Sequence, residues 1–471
     1  MSSNLLRNVY NSIYEYLTAN NISLRTFLPY SLGCRAPEDF SHDADDSDPY
    51  ESLRSMICFH DQEPMHFFGQ KQSWEKFMIH RSMRVDNRSI ILHSEKNSPE
   101  LDAWVERFNS IPCYWFSNGA LALEWYSDQR WEVNIDGYRK DMKINRLSYK
   151  FSCLNRLIGQ QRIYRTVLSQ RLSEIVDHEF LRLSCSRVDP YSKIHACDLV
   201  DVSLPQHHIA ALEKFRGTDD PMLINIISSD LHEGEIKNAS FDPGKEYFSK
   251  VFCHIVTETL FYGSTLHLTE KSLRPVVNRR PFILAGPPGS LKYLRSYGFK
   301  TFNEFWDESY DDEIDPHIRL DKILALVETI NEMSLAEMEV MLSKMNDILN
   351  YNFYHFYNEF PNRISSELQE NLKTAIATYK QRGNEPGWLY SKIIELPEAS
   401  LKMLLSDKAA IKEVFNNSSA KDEQDSYDAV TSGDYTTIIK YRVPGFITEY
   451  LGLDEKSSKE EILARLSQIL Y

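Results

Sequence analysis

The stretch from Phe248 to Phe299 constrains the fold most, because its apolar runs and polar turns follow one another in the order strand, loop, helix, strand. Phe248 to Val256 is apolar and β-branched almost throughout, the composition of a strand buried on both faces, and it ends in Thr257-Glu258-Thr259. Leu268-Thr269-Glu270-Lys271-Ser272-Leu273 then predicts a helix start, with Thr269 as its cap and an acidic first turn. That helix is expected to stop near Asn278, and Pro281 to Ala285 is a second short strand. Gly286-Pro-Pro-Gly289 turns the chain into a further helix from Ser290. Polar side chains therefore gather where parallel strands end and helices begin, which is where open α/β sheets bind ligands. Thr269, Glu270 and Lys271 form the strongest candidate: a helix start and a lysine suit a diphosphate, and Glu270 suits a sugar hydroxyl.

The same grammar recurs upstream. Arg54 to Phe59 predicts a strand running into His60-Asp61-Gln62-Glu63-Pro64, a group of ionisable side chains suited to proton transfer. Arg88 to His93 and Ile111 to Phe116 are further strands, with helices expected over 99–109 and through Tyr126. The charged segment 134–145 breaks the rhythm and reads as a linker. Tyr149 to Leu154 opens a second α/β unit: Asn155 closes its strand, and Arg162 stands at the next helix start with Arg165 one turn further on. A cation opposes the helix dipole there, a local cost that a bound phosphate would offset. Leu223 to Ile227 is a further strand, 301–315 a loop of aromatics and acids, and helices are expected over 319–333 and 334–360. Residues 180–217 give no clear pattern. The acidic loop 38–48 contains Asp43-Ala-Asp45, which its many aspartates explain without a metal. Residues 4–20 predict a helix, 416–434 are polar, and the last residues form a small appended module.

With 471 residues and 42% hydrophobic side chains, the chain can fill two cores. The domains are expected at 1–145, 146–385 and 386–471. A formal charge of −15 argues against nucleic-acid binding through the overall field, although a groove needs only local positive charge. Neither a membrane-length apolar run nor a signal pattern is present, so a cytoplasmic protein is expected. The seven cysteines lack metal-type spacing and read as reduced core residues. Gly286 to Lys292 lacks the Gly-Lys-Ser/Thr end of a P-loop.

Asn155, Arg162, Glu258, Thr269-Glu270-Lys271 and Arg280-Pro281-Phe282-Ile283 together resemble the donor-binding pattern of GT-B glycosyltransferases, and within them the inverting group of the α1,3-fucosyltransferases. Asp61-Gln-Glu-Pro64, His93-Ser-Glu-Lys96, Thr257-Glu-Thr259 and Gly298-Phe-Lys-Thr-Phe302 also resemble uncharacterised transferase-like proteins of tailed phages and their bacterial hosts. The likeness covers roughly residues 54–320. It implies two Rossmann-like parallel-sheet lobes facing a cleft, here with a mainly helical C-terminal appendage. It also implies a UDP-, GDP- or CMP-linked sugar as co-substrate, bound through Asn155, Arg162 or Arg165, Glu258, Thr269, Glu270 and Lys271. Retaining GT-B enzymes carry two glutamates closer together than Glu258 and Glu270, so inversion is expected, with Glu63 or Asp61 as base. No metal or resident cofactor is expected, since Lys271, Arg162 and helix N-termini can steady a departing diphosphate. The acceptor hydroxyl could belong to a modified DNA base or to a glycan. A nucleotide-sugar epimerase and a catalytically silent nucleotide-sugar-binding module are the alternatives.

Overall fold

The computed structural model describes residues 26–27, 56–60, 64, 89–108, 110–127, 146–155, 157–158, 162–186, 188, 195, 204–217, 222–226, 231–232, 235–236 and 248–382. The expected N-terminal helix, the acidic loop, Asp61, Glu63, the linker at 134–145 and the module from 386 onward lie outside them. Two compact units divide the described residues. One draws on 95–98 and 116–367, the other on 26–94, 99–115 and 368–382.

The second of these units holds a four-stranded parallel sheet in the order β1 (Thr26–Phe27), β2 (Met56–His60), β3 (Ser89–His93), and, after helix α1 (Pro99–Phe108), β4 (Ile111–Tyr114). Proline at the first position of α1, with Glu100 and Asp102 behind it, suits the free N–H groups and dipole of a helix start. Pro112 sits in β4, the last strand of the order, where a missing N–H costs no ladder bond.

The larger unit begins with α2 (Ser117–Ser127), followed by β5 (Tyr149–Leu154), α3 (Ile163–Ile175) and β6 (Leu181–Cys185). Next come α4 (Gln206–Arg216), β7 (Met222–Ile224), the small antiparallel pair β8 (Leu231–His232) and β9 (Glu235–Ile236), then β10 (Val251–Thr257), α5 (Glu270–Val277), β11 (Phe282–Ala285) and α6 (Ser290–Ser296). Its five-stranded sheet runs β11-β10-β5-β6-β7, parallel except for β7, whose Ile224 pairs with Leu183 of β6. β10 is buried at all seven positions, as a central strand between two parallel neighbours requires. It begins at Val251 instead of Phe248, because residues 248–249 make a helical turn that lays the Phe248 ring 4.5 Å from His254. Four cysteines, at 113, 153, 185 and 253, are buried free thiols.

Helices α7 (Pro316–Asn331), α8 (Leu335–Lys344), α9 (Asn346–Asn358) and α10 (Phe360–Arg382) complete the described chain. Leu320, Ile323, Leu324 and Val327 form the buried face of α7, which packs on α3. The helix expected over 334–360 is two helices, and α10 starts at Phe360. Pro361 lacks an N–H and fits only the first turn of a helix, so α9 has to end before it. Residues 368–382 of α10 belong to the other unit, where Asn371 Nδ2 donates to the Tyr114 carbonyl at 2.7 Å. No helix among the described residues is long and apolar enough to cross a membrane.

Candidate functional site

The order of the five-stranded sheet creates one place where neighbouring strands lead the chain in opposite directions. From β5 the chain proceeds outward to β6 and β7, then returns to the other side of β5 as β10 and continues to β11. β5 and β10 therefore flank a topological switch point, the position at which open α/β sheets accept ligands beyond their carboxyl ends. Asn155 follows β5 and Glu258 follows β10, so both candidate residues stand at that edge.

Asn155 is buried and ties the two strands to the helix behind them. Its Oδ1 accepts from Thr257 Oγ1 at 2.5 Å, while Nδ2 donates to Ser169 Oγ at 3.1 Å and Cys153 Sγ at 3.3 Å. Arg162 occupies the N-cap position of α3 and is 8% exposed. Arg165 is deeper. Its guanidinium donates to the carbonyls of Leu157 at 2.8 Å, Thr257 at 3.1 Å and Glu258 at 2.7 Å. Beside it, Tyr164 donates its hydroxyl to the Glu258 carbonyl at 2.5 Å and stacks on Phe261, with ring centroids 4.1 Å apart. Burial pushes the Tyr164 phenol up to about 12, so it stays a donor at neutral pH.

The Glu258 carboxylate is fully buried and closes the loop that follows β10. Thr259 N donates to it at 3.2 Å, Thr269 N at 3.1 and 3.2 Å and Thr269 Oγ1 at 2.6 Å, and Ser272 Oγ makes a further short bond. A carboxylate at a helix start also complements the dipole of α5. Thr269 caps that helix as expected, accepting from Lys271 N, and Asn278 ends it. Lys271 Nζ then lies 3.0 Å from Glu270 Oε1 and 3.3 Å from Thr269 Oγ1, with a quarter of its side chain exposed and only 7% of that of Glu270. An anion arriving at Lys271 has to compete with Glu270 for the ammonium.

The structure thus brings Asn155, Arg162, Arg165, Glu258, Thr269, Glu270 and Lys271 together around the ends of β5 and β10. It also divides their work. Asn155, Glu258 and the two terminal nitrogens of Arg165 spend themselves on the protein, whereas Lys271 keeps an exposed portion. Lys96, from the His93-Ser-Glu-Lys96 segment, joins the same loop from outside: its N donates to Leu266 O at 2.9 Å, and Nζ lies 5.0 Å from the Tyr293 ring centre. Gly298, from another segment of the resemblance, has φ +95°, and a Cβ there would meet the His355 ring at 2.7 Å.

Three supports escaped the sequence reading. Ser272 has the right spacing from Thr269 to share the same carboxylate, a signal visible in Thr-Glu-Lys-Ser. Asp311 accepts from Leu291 N at 2.8 Å and Lys292 N at 3.1 Å, holding the start of α6 from 20 residues away. Arg319 donates to the carbonyls of Gly286, Glu313, Ile314 and Phe261, and burial lowers its guanidinium to about 10. Such pairings depend on tertiary approach, so no local pattern announces them. No protein-family model, curated protein or solved structure matches this chain.

Proposed function

We propose that this chain is a sugar-nucleotide-dependent inverting glycosyltransferase of GT-B type, using the larger unit to hold the donor. What carries the reading is the partly exposed Lys271 at the capped start of α5, directly beyond the switch-point strand β10. In this reading Lys271 and Arg162 attract the diphosphate, and Glu270, released from Lys271 when the phosphate arrives, accepts from a donor hydroxyl. Thr269 presents the helix start. Asn155, Arg165 and Glu258 act as positioning residues, keeping the ends of β5 and β10 and the loop at 258–269 in register. Glu63, with Asp61 as the other candidate, takes the proton of the acceptor hydroxyl as the sugar carbon is attacked from the face opposite the leaving nucleotide.

A panel of UDP-, GDP- and CMP-sugars tested by thermal shift on the full chain addresses donor binding first. A donor at a hundred times its dissociation constant should stabilise the fold by about 2.7 kcal/mol. Nucleotide release that depends on an added hydroxyl acceptor supports transfer. Interconversion of the sugar without an acceptor would identify an epimerase, and tight binding without turnover would identify a silent module. Lys271→Ala should lower kcat/KM for the donor by roughly ten- to a hundredfold, since a hydrogen bond to a charged group is worth about 1.5–3 kcal/mol. An unchanged value would remove Lys271 from the site. Glu63→Gln should reduce kcat by about 10²–10⁴ with donor affinity nearly constant. If it turns over normally and Asp61→Asn does not, the base is Asp61.

A further inference from the structure

Away from the donor residues, α4 and α7 bring together two imidazoles and a carboxylate. His207 and His208 occupy the first turn of α4, and Asp321 lies on the facing side of α7. His207 Nε2 is 3.0 Å from both Asp321 oxygens, and His208 Nε2 is 3.0 Å from Oδ1. The three donor atoms lie within 4.8 Å of one another. Neighbouring helical residues normally point about 100° apart, so two adjacent histidines converge on one carboxylate only because Asp321 sits between their directions.

We propose that His207, His208 and Asp321 bind a divalent transition ion of the zinc class, clipping α4 to α7. A tetrahedral ion with bonds of about 2.0–2.1 Å separates its ligand atoms by roughly 3.3 Å, so the two histidine–carboxylate spacings of 3.0 Å open slightly while the two Nε2 atoms, no more than 4.8 Å apart, adjust toward that value. Imidazole nitrogen with one carboxylate selects Zn²⁺ and its neighbours over Mg²⁺ or Ca²⁺, which prefer all-oxygen shells. A ring that carries its proton on Nδ1 offers the Nε2 lone pair to the ion. Burial of His208, at 1% side-chain exposure, fixes one ligand, while His207 at 58% and Asp321 at 42% leave an entry path and a corner for water. His317, one turn before Asp321, has its ring centre 5.5 Å from that of His208 and 6.2 Å from that of Tyr262. Tyr262 in turn contacts Tyr164, so the clip would brace the helices behind the donor loop and take no part in transfer.

Titration of the metal-free full chain with Co²⁺, followed by visible d–d absorption, reads four-coordinate binding directly, and Zn²⁺ competition and Tm give affinity and stabilisation. One equivalent of Co²⁺, displaced by Zn²⁺ and unaffected by Mg²⁺, is expected. His207→Gln, at an exposed position that should not disturb folding, and Asp321→Asn should each weaken binding at least tenfold and abolish the Zn²⁺-dependent rise in Tm. Absence of binding overturns the proposal. Equal binding by wild type and both variants does so too, since it places the ion on other histidines of the chain.

Discussion

Glu258 satisfies four donor groups with one carboxylate, more than any other side chain at the switch point among the described residues. Glu258→Gln replaces one acceptor oxygen by an NH₂ facing N–H and O–H donors. Because each buried donor left unsatisfied costs about 1–3 kcal/mol, the variant should lose about 3 kcal/mol in urea unfolding. A stability equal to wild type would show that the clamp is dispensable. The two arginines of α3 separate in the same way. Arg165→Ala removes the guanidinium that three carbonyls share, leaving that of Glu258 only its bond from Tyr164, and should destabilise the fold, whereas Arg162→Ala should cut donor use roughly ten- to a hundredfold through the loss of a charged contact. If Arg165→Ala keeps its urea midpoint and loses only donor use, their roles are exchanged.

At the scale of elements, the strands and caps with strong local chemistry were legible in the sequence. Thr269 before Glu270-Lys271, Pro99 and Gly286-Pro-Pro-Gly289 each fix a helix start that the structure puts at the expected residue, while the apolar run into Thr257 ends one residue later and starts three residues later than its composition suggests. β6 was not legible. Arg182 breaks its apolar pattern, and this charge is tolerated because Nε donates to the Asn225 carbonyl and the guanidinium lies 5.0 Å from the Tyr149 ring centre. α7 starts at Pro316, three residues before the expected Arg319, because Asp315 caps it by accepting from His317 N and Ile318 N and Pro316 suits its first turn. The sequence reading groups the residues that the structure gathers at the ends of β5 and β10, but which of them are spent on internal bonds depends on contacts between distant segments. Arg319 shows the energetic weight of such contacts. Arg319→Leu would leave the buried carbonyls of Phe261 and Gly286 without this donor and free those of Glu313 and Ile314 to water, so a loss of about 3 kcal/mol is expected in urea unfolding, and a much smaller loss would mean that water also replaces the guanidinium at the buried pair.

For the molecule as a whole, the formal charge of −15 acts together with several carboxyls whose affinity for protons burial has raised. Burial raises Glu308 and Glu367, and it raises Asp311 against the pull of two backbone N–H groups. A carboxyl with a raised folded pKa holds its proton more tightly in the native state. Its contribution to stability is therefore complete below the ordinary carboxylate range and is lost as pH climbs through the raised value. Glu313, Asp315 and Glu337 have lowered values and work in the opposite direction, losing their contribution as pH falls through the lowered folded value. The urea midpoint should accordingly be higher near about pH 5 than near about pH 8. The advantage of wild type over Glu308→Gln should shrink across the same interval, and an advantage that grows would reverse the sign assigned to burial. The closed loop after β10 carries a separate implication for how the protein can be altered. Both its ends meet at Glu258, Leu266 is bridged to Lys96, and Phe261 is held by Arg319, which leaves Gly263 and Ser264 as its exposed tip, with Gly263 at φ +73°. Chain added at that tip lengthens a span whose footing is already fastened, at an entropic cost of only about 0.6 kcal/mol for each doubling. The tip is thus a port through which new recognition sequence, or a reporter dye, can be introduced without disturbing the strands beneath.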